Sequence, residues 1–66
     1  MTITLNGQLK DITPALSIAE LVAQFCKNPK HIIAEHNGQI VSADKWPQLP
    51  LKEGDTIELV AFVGGG

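Results

Sequence analysis

Polar and apolar residues alternate at the start of the chain, and this pattern predicts a β-hairpin. Thr2 to Leu5 forms the first alternating run, Asn6-Gly7 follows it, and Gln8 to Ile12 forms the second run. Asn-Gly is the strongest short signal for a two-residue hairpin turn, because both residues tolerate positive φ. Such a turn pairs Leu5 with Gln8 and places four apolar residues on one buried face: Met1, Ile3, Leu5 and Ile12.

A capped amphipathic helix is predicted next. Ser17 and Glu20 have the spacing of a capping box, in which each side chain accepts a hydrogen bond from the other residue's backbone N–H. The helix is therefore expected to begin at Ile18 and to end at Asn28-Pro29. Apolar residues recur at the spacing of one helical stripe, suited to packing on a sheet: Ile18, Leu21, Val22 and Phe25.

A second hairpin and a connecting segment follow the helix. His31 to His36 and Gln39 to Val41 flank another Asn-Gly turn, which predicts a second pair of strands. The segment Ser42–Pro50 contains two prolines and is expected to be a connecting segment that contains one helical turn. Its tryptophan, Trp46, is expected to cover the edge of the core, because an aromatic ring supplies a large apolar area.

The last predicted strand, Thr56–Val63, has two different faces. It follows a turn in which Gly54 is expected to adopt positive φ. Alternation assigns one set of residues to the core: Ile57, Leu59, Ala61 and Val63. The other face begins with polar residues but ends with Val60 and Phe62, which we expect to be exposed and to form a contact surface. Across the chain, the predicted core comprises Ile3, Leu5, Ile12, Ile18, Leu21, Val22, Ile57 and Leu59.

Composition and charge restrict the class of protein. A chain of 66 residues can form one small core and little else. The formal charge is −2 and no basic run is present, which argues against binding to nucleic acid. No signal-peptide pattern and no apolar stretch long enough to span a bilayer are found, so we expect a soluble cytoplasmic protein.

The thiol and the imidazoles do not form a ligand pattern. Cys26 is the single cysteine, which agrees with a reducing compartment, and we expect it to pack as a small apolar residue. His31 and His36 are five residues apart with no other histidine in the chain, so we expect solvent-facing or turn-flanking side chains and no metal site.

Three glycines, Gly64, Gly65 and Gly66, follow the last predicted strand. The α-carboxylate of Gly66 would be ionised at neutral pH, since such groups have pKa values of about 3.3 to 3.7. It would lie on a segment narrow enough to enter an enclosed active site, which favours activation of this carboxylate by a partner enzyme. The alternative from the residues alone is a frayed terminus without a role.

Hairpin, helix, hairpin and final strand, in this order, are typical of the α+β ubiquitin-like β-grasp fold, a mixed sheet of about five strands with one main helix on one face. We expect residues 1–63 to form this domain and residues 64–66 to form a reactive tail. The chain resembles the ThiS family of bacterial sulfur carriers of thiamine thiazole synthesis. The resemblance rests on Asn6-Gly7, Asn37 to Val41, Trp46, Leu51 to Val60, and Val63 to Gly66.

The resemblance implies a carrier protein and not an enzyme. A ThiF-like adenylating enzyme would use ATP and magnesium to adenylate the Gly66 carboxylate, and this chain itself would bind no cofactor. A sulfur donor such as a cysteine desulfurase would convert the adenylate to a thiocarboxylate, which would give its sulfur to a ThiG-like thiazole synthase. Gly64 and Gly65 would present the carboxylate, and Val60 and Phe62 would dock the adenylating enzyme.

Three alternatives remain open at the level of sequence. The small, MoaD-like subunit of molybdopterin synthase shares the fold and a Gly-Gly end, although it is usually longer and the compact loop with Trp46 looks more like ThiS. A ubiquitin-like modifier of other proteins would use the same carboxylate. A β-grasp interaction module would bind a partner without any acyl chemistry.

Overall fold

The structure, a computed structural model, describes residues 1–14 and 16–61. Phe62, Val63 and the three terminal glycines therefore lie outside the described residues, as does Ala15. The described part contains five strands and one α-helix, with short 3₁₀ helices at Pro29–His31 and Ala43–Gln48. The strands are β1 (Thr2–Leu5), β2 (Gln8–Asp11), β3 (Ile32–His36), β4 (Gln39–Val41) and β5 (Thr56–Ala61), and the helix is α1 (Ile18–Phe25).

The strands form one mixed sheet in the order β2-β1-β5-β3-β4. β1 and β5 run parallel, whereas the pairs β1–β2, β3–β4 and β3–β5 are antiparallel. The crossover that a parallel pair requires is supplied by the segment between β1 and β5, which contains α1. The predicted β-grasp fold is confirmed.

Both hairpins have the predicted turns, and the first has the predicted register. Asn6 and Gly7 have φ values of 50° and 81°, the positive values that a type I′ turn requires. Asn37-Gly38 has the same conformation, with φ values of 51° and 87°. Leu5 is opposite Gln8, as predicted, and Gly54 adopts a φ of 83° in the turn before β5.

The start of α1 is as predicted, but its end comes earlier. The Glu20 amide donates to Ser17 Oγ at 3.1 Å, and the Ser17 amide donates to Glu20 Oε1 at 3.0 Å, which completes the capping box. The helix begins at Ile18 and ends at Phe25, ahead of Asn28-Pro29. Cys26 leaves the helix with extended backbone while its amide still donates to the Val22 carbonyl at 2.8 Å.

The core lies between α1 and one face of the sheet. All the predicted core residues are buried except Ile12, which is only half-buried against the core. Ile12 lies just beyond β2, an edge strand, where its amide donates to the Met1 carbonyl at 2.7 Å and α1 does not cover it fully. Four further apolar residues complete the core: Leu16, Ala34, Trp46 and Leu51.

Two residues assigned to the core face are exposed. Phe25 has 48% of its surface exposed, because it is the last residue of α1 and its ring lies beside Lys10, whose Nζ is 5.9 Å from the ring centre. Ala61 is exposed because an open groove of about 300 Å³ separates it from the end of α1. The predicted helical stripe therefore stops at Val22, and the buried face of β5 stops at Leu59.

The connection between β4 and β5 contains the predicted helical turn, of 3₁₀ type. Trp46 is buried there and its indole N–H donates to the Val41 carbonyl at 3.0 Å, so the ring closes one edge of the core as expected. Among the residues that the structure describes, every helix is too short or too polar to cross a membrane.

Candidate functional site

The candidate site is the end of β5 and the residues that follow it. β5 is the central strand of the sheet, with β1 on one side and β3 on the other. Its last residue is Ala61, so the segment that contains Gly64, Gly65 and Gly66 continues from the middle of the sheet. These glycines lie outside the described residues, and their roles in presenting and carrying an activated carboxylate stay predictions.

Val60 is exposed on the face of the sheet opposite the helix. Half of its surface is accessible, as the alternation along β5 predicted. It is opposite Ile33 of β3, which has 38% of its surface exposed, so the two side chains form an apolar pair on this face. The exposure is confirmed for Val60. Phe62 falls outside the described residues, and the docking role of both residues stays a prediction.

The start of β5 is fixed by the Asp55 carboxylate. Asp55 is buried, and its Oδ2 accepts a hydrogen bond from the Lys52 amide at 2.8 Å, which closes the turn around Gly54. The same oxygen lies 2.9 Å from His36 Nε2, and Oδ1 accepts from the Asn37 side-chain amide at 3.1 Å. One carboxylate thus joins the turn before β5 to the hairpin between β3 and β4.

The pKa of Asp55 depends on the burial of its carboxylate and on the hydrogen bonds that the carboxylate accepts. Burial acts to raise the pKa, because removal of water disfavours the charged form. The hydrogen bonds from His36, from the Lys52 amide and from Asn37 act in the opposite direction, and the nearby His36 ring adds to them. These contacts outweigh the effect of burial, so the pKa of Asp55 lies below its ordinary value and the carboxylate is ionised at neutral pH.

The asparagines of the two hairpin turns also hold β5. Asn6 Oδ1 accepts a hydrogen bond from the Leu59 amide at 2.8 Å, at the point where β1 has ended and leaves the edge of β5 uncovered. Asn37 Oδ1 accepts from the Thr56 amide at 2.8 Å. Each asparagine therefore serves both as a turn residue and as a partner for the strand that leads to the terminal glycines.

These polar contacts were not foreseen in the sequence. The turn-flanking position of His36 is confirmed, but its side chain is half-buried against Asp55. Apart from Lys52 and Asp55, which are three positions apart, the residues in contact are separated by 18 to 53 positions in the chain, and no local spacing connects them. The available signal was the occurrence of asparagine in both turns, which was interpreted only in terms of backbone conformation.

The remaining candidate residues do not form a reactive group. Cys26 is partly buried and packs against the core, as expected, and it borders the groove beside Ala61. His31 is exposed and ends the 3₁₀ helix that directly precedes β3, whereas His36 is the last residue of β3. Within residues 1–14 and 16–61, no cluster of three or more His, Cys, Asp or Glu side chains is arranged to bind a metal ion.

Comparison with known proteins identifies the family. The sequence matches the model of the ThiS family over residues 3–66, a range that includes all three terminal glycines. The chain belongs to the ThiS family. The sulfur carrier protein ThiS of Bacillus subtilis is 36% identical over 50 residues, which is 76% of each chain.

Solved structures and a longer relative agree with this assignment. The crystal structure of the ThiS protein from Geobacter metallireducens superposes with a TM-score of 0.86 at 28% identity, with both chains covered completely. A thiazole synthase from Paramagnetospirillum magneticum is 27% identical over all 66 residues. This chain spans only 20% of the length of that synthase, so the ThiS-like segment there is part of a larger protein.

Proposed function

We propose that the protein is a sulfur carrier for the synthesis of the thiamine thiazole. The observation that carries the proposal is the ThiS family match, which runs from the first strand through Gly66. The described structure supports it, because β5, the strand that leads to these glycines, is held by both neighbouring strands and by three polar side chains: Asn6, Asn37 and Asp55. In this proposal the domain is a rigid support for a reactive terminus.

The proposed chemistry takes place at the Gly66 carboxylate. A carboxylate is a poor electrophile, and a ThiF-like enzyme would join it to the AMP part of ATP, with release of pyrophosphate. The outer sulfur of a persulfide on a sulfur donor such as a cysteine desulfurase would attack the acyl carbon and expel AMP. A thiol would then reduce the resulting sulfur–sulfur bond and leave the thiocarboxylate. Gly64 and Gly65 allow the enzyme to approach the backbone closely, because they carry no Cβ.

The proposed partners are an adenylating enzyme and a thiazole synthase. A ThiS-like segment within the P. magneticum thiazole synthase supports the second partner, because it joins the two proteins in one chain. Exposure of Val60 supports docking of the adenylating enzyme on the end of β5, where Phe62 would extend the contact. We further propose that ATP and magnesium are bound by that enzyme and that the protein acts in the cytoplasm.

Intact-mass spectrometry tests the proposal. Incubation with a ThiF-type enzyme, ATP and a sulfur source should increase the mass of the chain by the exchange of one oxygen for sulfur, and fragmentation should locate the change at Gly66. Deletion of Gly66 should abolish the modification without unfolding the domain, because the core lies between Ile3 and Leu59. The Cys26→Ser variant should still be modified.

Two results would contradict the proposal. Sulfur found on Cys26 instead of Gly66 would show that the thiol and not the carboxylate carries it. Binding of the adenylating enzyme without any modification would favour the simple β-grasp interaction module.

A further inference from the structure

The face of the sheet without the helix has an ordered pattern of charge and apolar surface. Ile33 and Val60 are opposite each other, and the next pair on the same face along β3 and β5 is Glu35 with Glu58. Ile40 of β4, which has 72% of its surface exposed, is opposite Glu35 on the outer side. Two carboxylates are therefore bordered by exposed apolar side chains on two sides.

The two carboxylates have no counter-charge within the described structure. Neither the Glu35 nor the Glu58 side chain makes a hydrogen bond or an ion pair with any described residue. The sequence contains no arginine, and none of its five lysines belongs to β3, β4 or β5: Lys10, Lys27, Lys30, Lys45 and Lys52. Carboxylates directly opposite each other on neighbouring strands destabilise a sheet, so this arrangement has a cost in the free protein.

We infer that this face is the docking surface for a partner protein that presents an arginine between apolar side chains. The guanidinium would lie between Glu35 and Glu58, while the apolar side chains would cover Ile33, Val60 and Ile40. An arginine suits this position because its planar group has five donors and stays charged when water is excluded. The inference rests on the proposed function, since it describes the surface on which the adenylating enzyme docks.

The pattern disfavours other occupants of this face. A purely apolar partner that covered Ile33 and Val60 would also remove water from Glu35 and Glu58, and an unpaired buried carboxylate is strongly destabilising. A second copy of this chain, with the same face apposed, would bring carboxylates against carboxylates. Nucleic acid would be repelled, because its phosphates have the same sign of charge.

Neutralisation of the two glutamates tests the inference. The Glu35→Gln/Glu58→Gln variant keeps the shape of both side chains and removes only their charge. Asp44→Asn is the matched single control for Glu58→Gln, since Asp44 is also exposed and lies in the connection before β5. Binding to the ThiF-type enzyme would be measured by calorimetry at several salt concentrations, and circular dichroism would verify the fold of each variant.

We expect the double variant to bind about tenfold more weakly than the wild type and to lose much of the dependence of Kd on salt. Glu58→Gln alone should weaken binding, while Asp44→Asn should leave Kd within about twofold. Unchanged affinity of the double variant would overturn the inference, as would an equal loss with Asp44→Asn, because the effect would then come from net charge alone.

The intact-mass assay separates failure of this inference from failure of the proposed function. A double variant that binds as the wild type does, in a system where wild type acquires sulfur at Gly66, overturns the inference and leaves the function intact. If the wild type binds tightly and with salt sensitivity, the double variant loses this binding, and no sulfur is transferred, then the proposed docking surface is supported and the proposed function is contradicted. Absence of any binding by wild type overturns both.

Discussion

His36 Nε2 lies 2.9 Å from Asp55 Oδ2 and thereby links the end of β3 to the residue that precedes β5. Two further groups, the Lys52 backbone amide and the Asn37 side-chain amide, also donate hydrogen bonds to this carboxylate, so it stabilises the centre of the sheet. Two consequences for stability can be measured.

Asp55→Asn should lower the free energy of unfolding at neutral pH. The variant replaces a buried carboxylate that accepts several hydrogen bonds with an amide that accepts on one atom only, and the expected loss is about 1 to 3 kcal/mol. Urea unfolding at pH 7 measures it. The exposed Asp44→Asn variant is the control and should be within about 0.5 kcal/mol of wild type.

Acid should remove the contribution of Asp55. The pKa of Asp55 is lowered in the folded state, so its contribution is complete above the ordinary aspartate pKa of about 3.9 and is lost as the pH falls from there through the folded pKa. The difference in unfolding free energy between wild type and Asp55→Asn should therefore narrow below about pH 4. A difference that stays constant from pH 7 to pH 3 would contradict this assignment.

Leu21→Ala should destabilise the domain severely. Leu21 is fully buried between α1 and the sheet, and truncation of such a leucine costs about 2 to 5 kcal/mol. A domain of this length is expected to have only about 3 to 10 kcal/mol of stability in total. Thermal and urea unfolding would show the loss. Leu9→Ala provides the control, because 76% of Leu9 is exposed and little change is expected.

Ser17→Ala should cost about 1 kcal/mol through the capping box. Ser17 Oγ accepts a hydrogen bond from the Glu20 backbone amide, and removal of the hydroxyl leaves this amide at the start of α1 without its partner. Ser42 directly precedes the 3₁₀ helix Ala43–Gln48 and makes no side-chain capping bond, so Ser42→Ala should be nearly neutral. Equal losses for the two variants in urea unfolding would show that the cap contributes little.

Val60→Asp and Phe62→Asp should weaken adenylation by the ThiF-type enzyme and leave the fold intact. Val60 is half exposed on the helix-free face, and aromatic anchors such as Phe62 commonly supply much of the energy of an interface. Leu9→Asp places the same charge on an exposed apolar position of β2, at the far edge of the sheet, and should have little effect. Unchanged apparent affinity of the Val60 and Phe62 variants would assign this surface to another partner.

The sequence was informative wherever a structural feature depends on neighbouring residues. Asn6-Gly7 and Asn37-Gly38 predicted both hairpins because the turn conformation is a local property, and Ser17 with Glu20 predicted the start of α1 for the same reason. The end of α1 was predicted too late, and Phe25 continues the apolar spacing although its ring lies half exposed beside Lys10.

Contacts between distant segments could not be derived from spacing. Asp55 and His36 are 19 residues apart, and only the antiparallel pairing of β3 with β5 brings them together. The same pairing places Glu35 opposite Glu58, although each glutamate separately resembles any solvent-facing residue of a strand. The carrier function, in contrast, was predicted from the terminal glycines and from family resemblance.

The central position of β5 has a mechanical consequence. An enzyme that exerts force on the residues after Ala61 would pull β5 along the strand axis. The hydrogen bonds that join β5 to β1 and β3 run across that axis. The load would be shared by the bonds on both sides as shear, whereas an edge strand can be peeled away one bond at a time. Traction on the terminus would therefore move the domain as a unit before it could extract the strand.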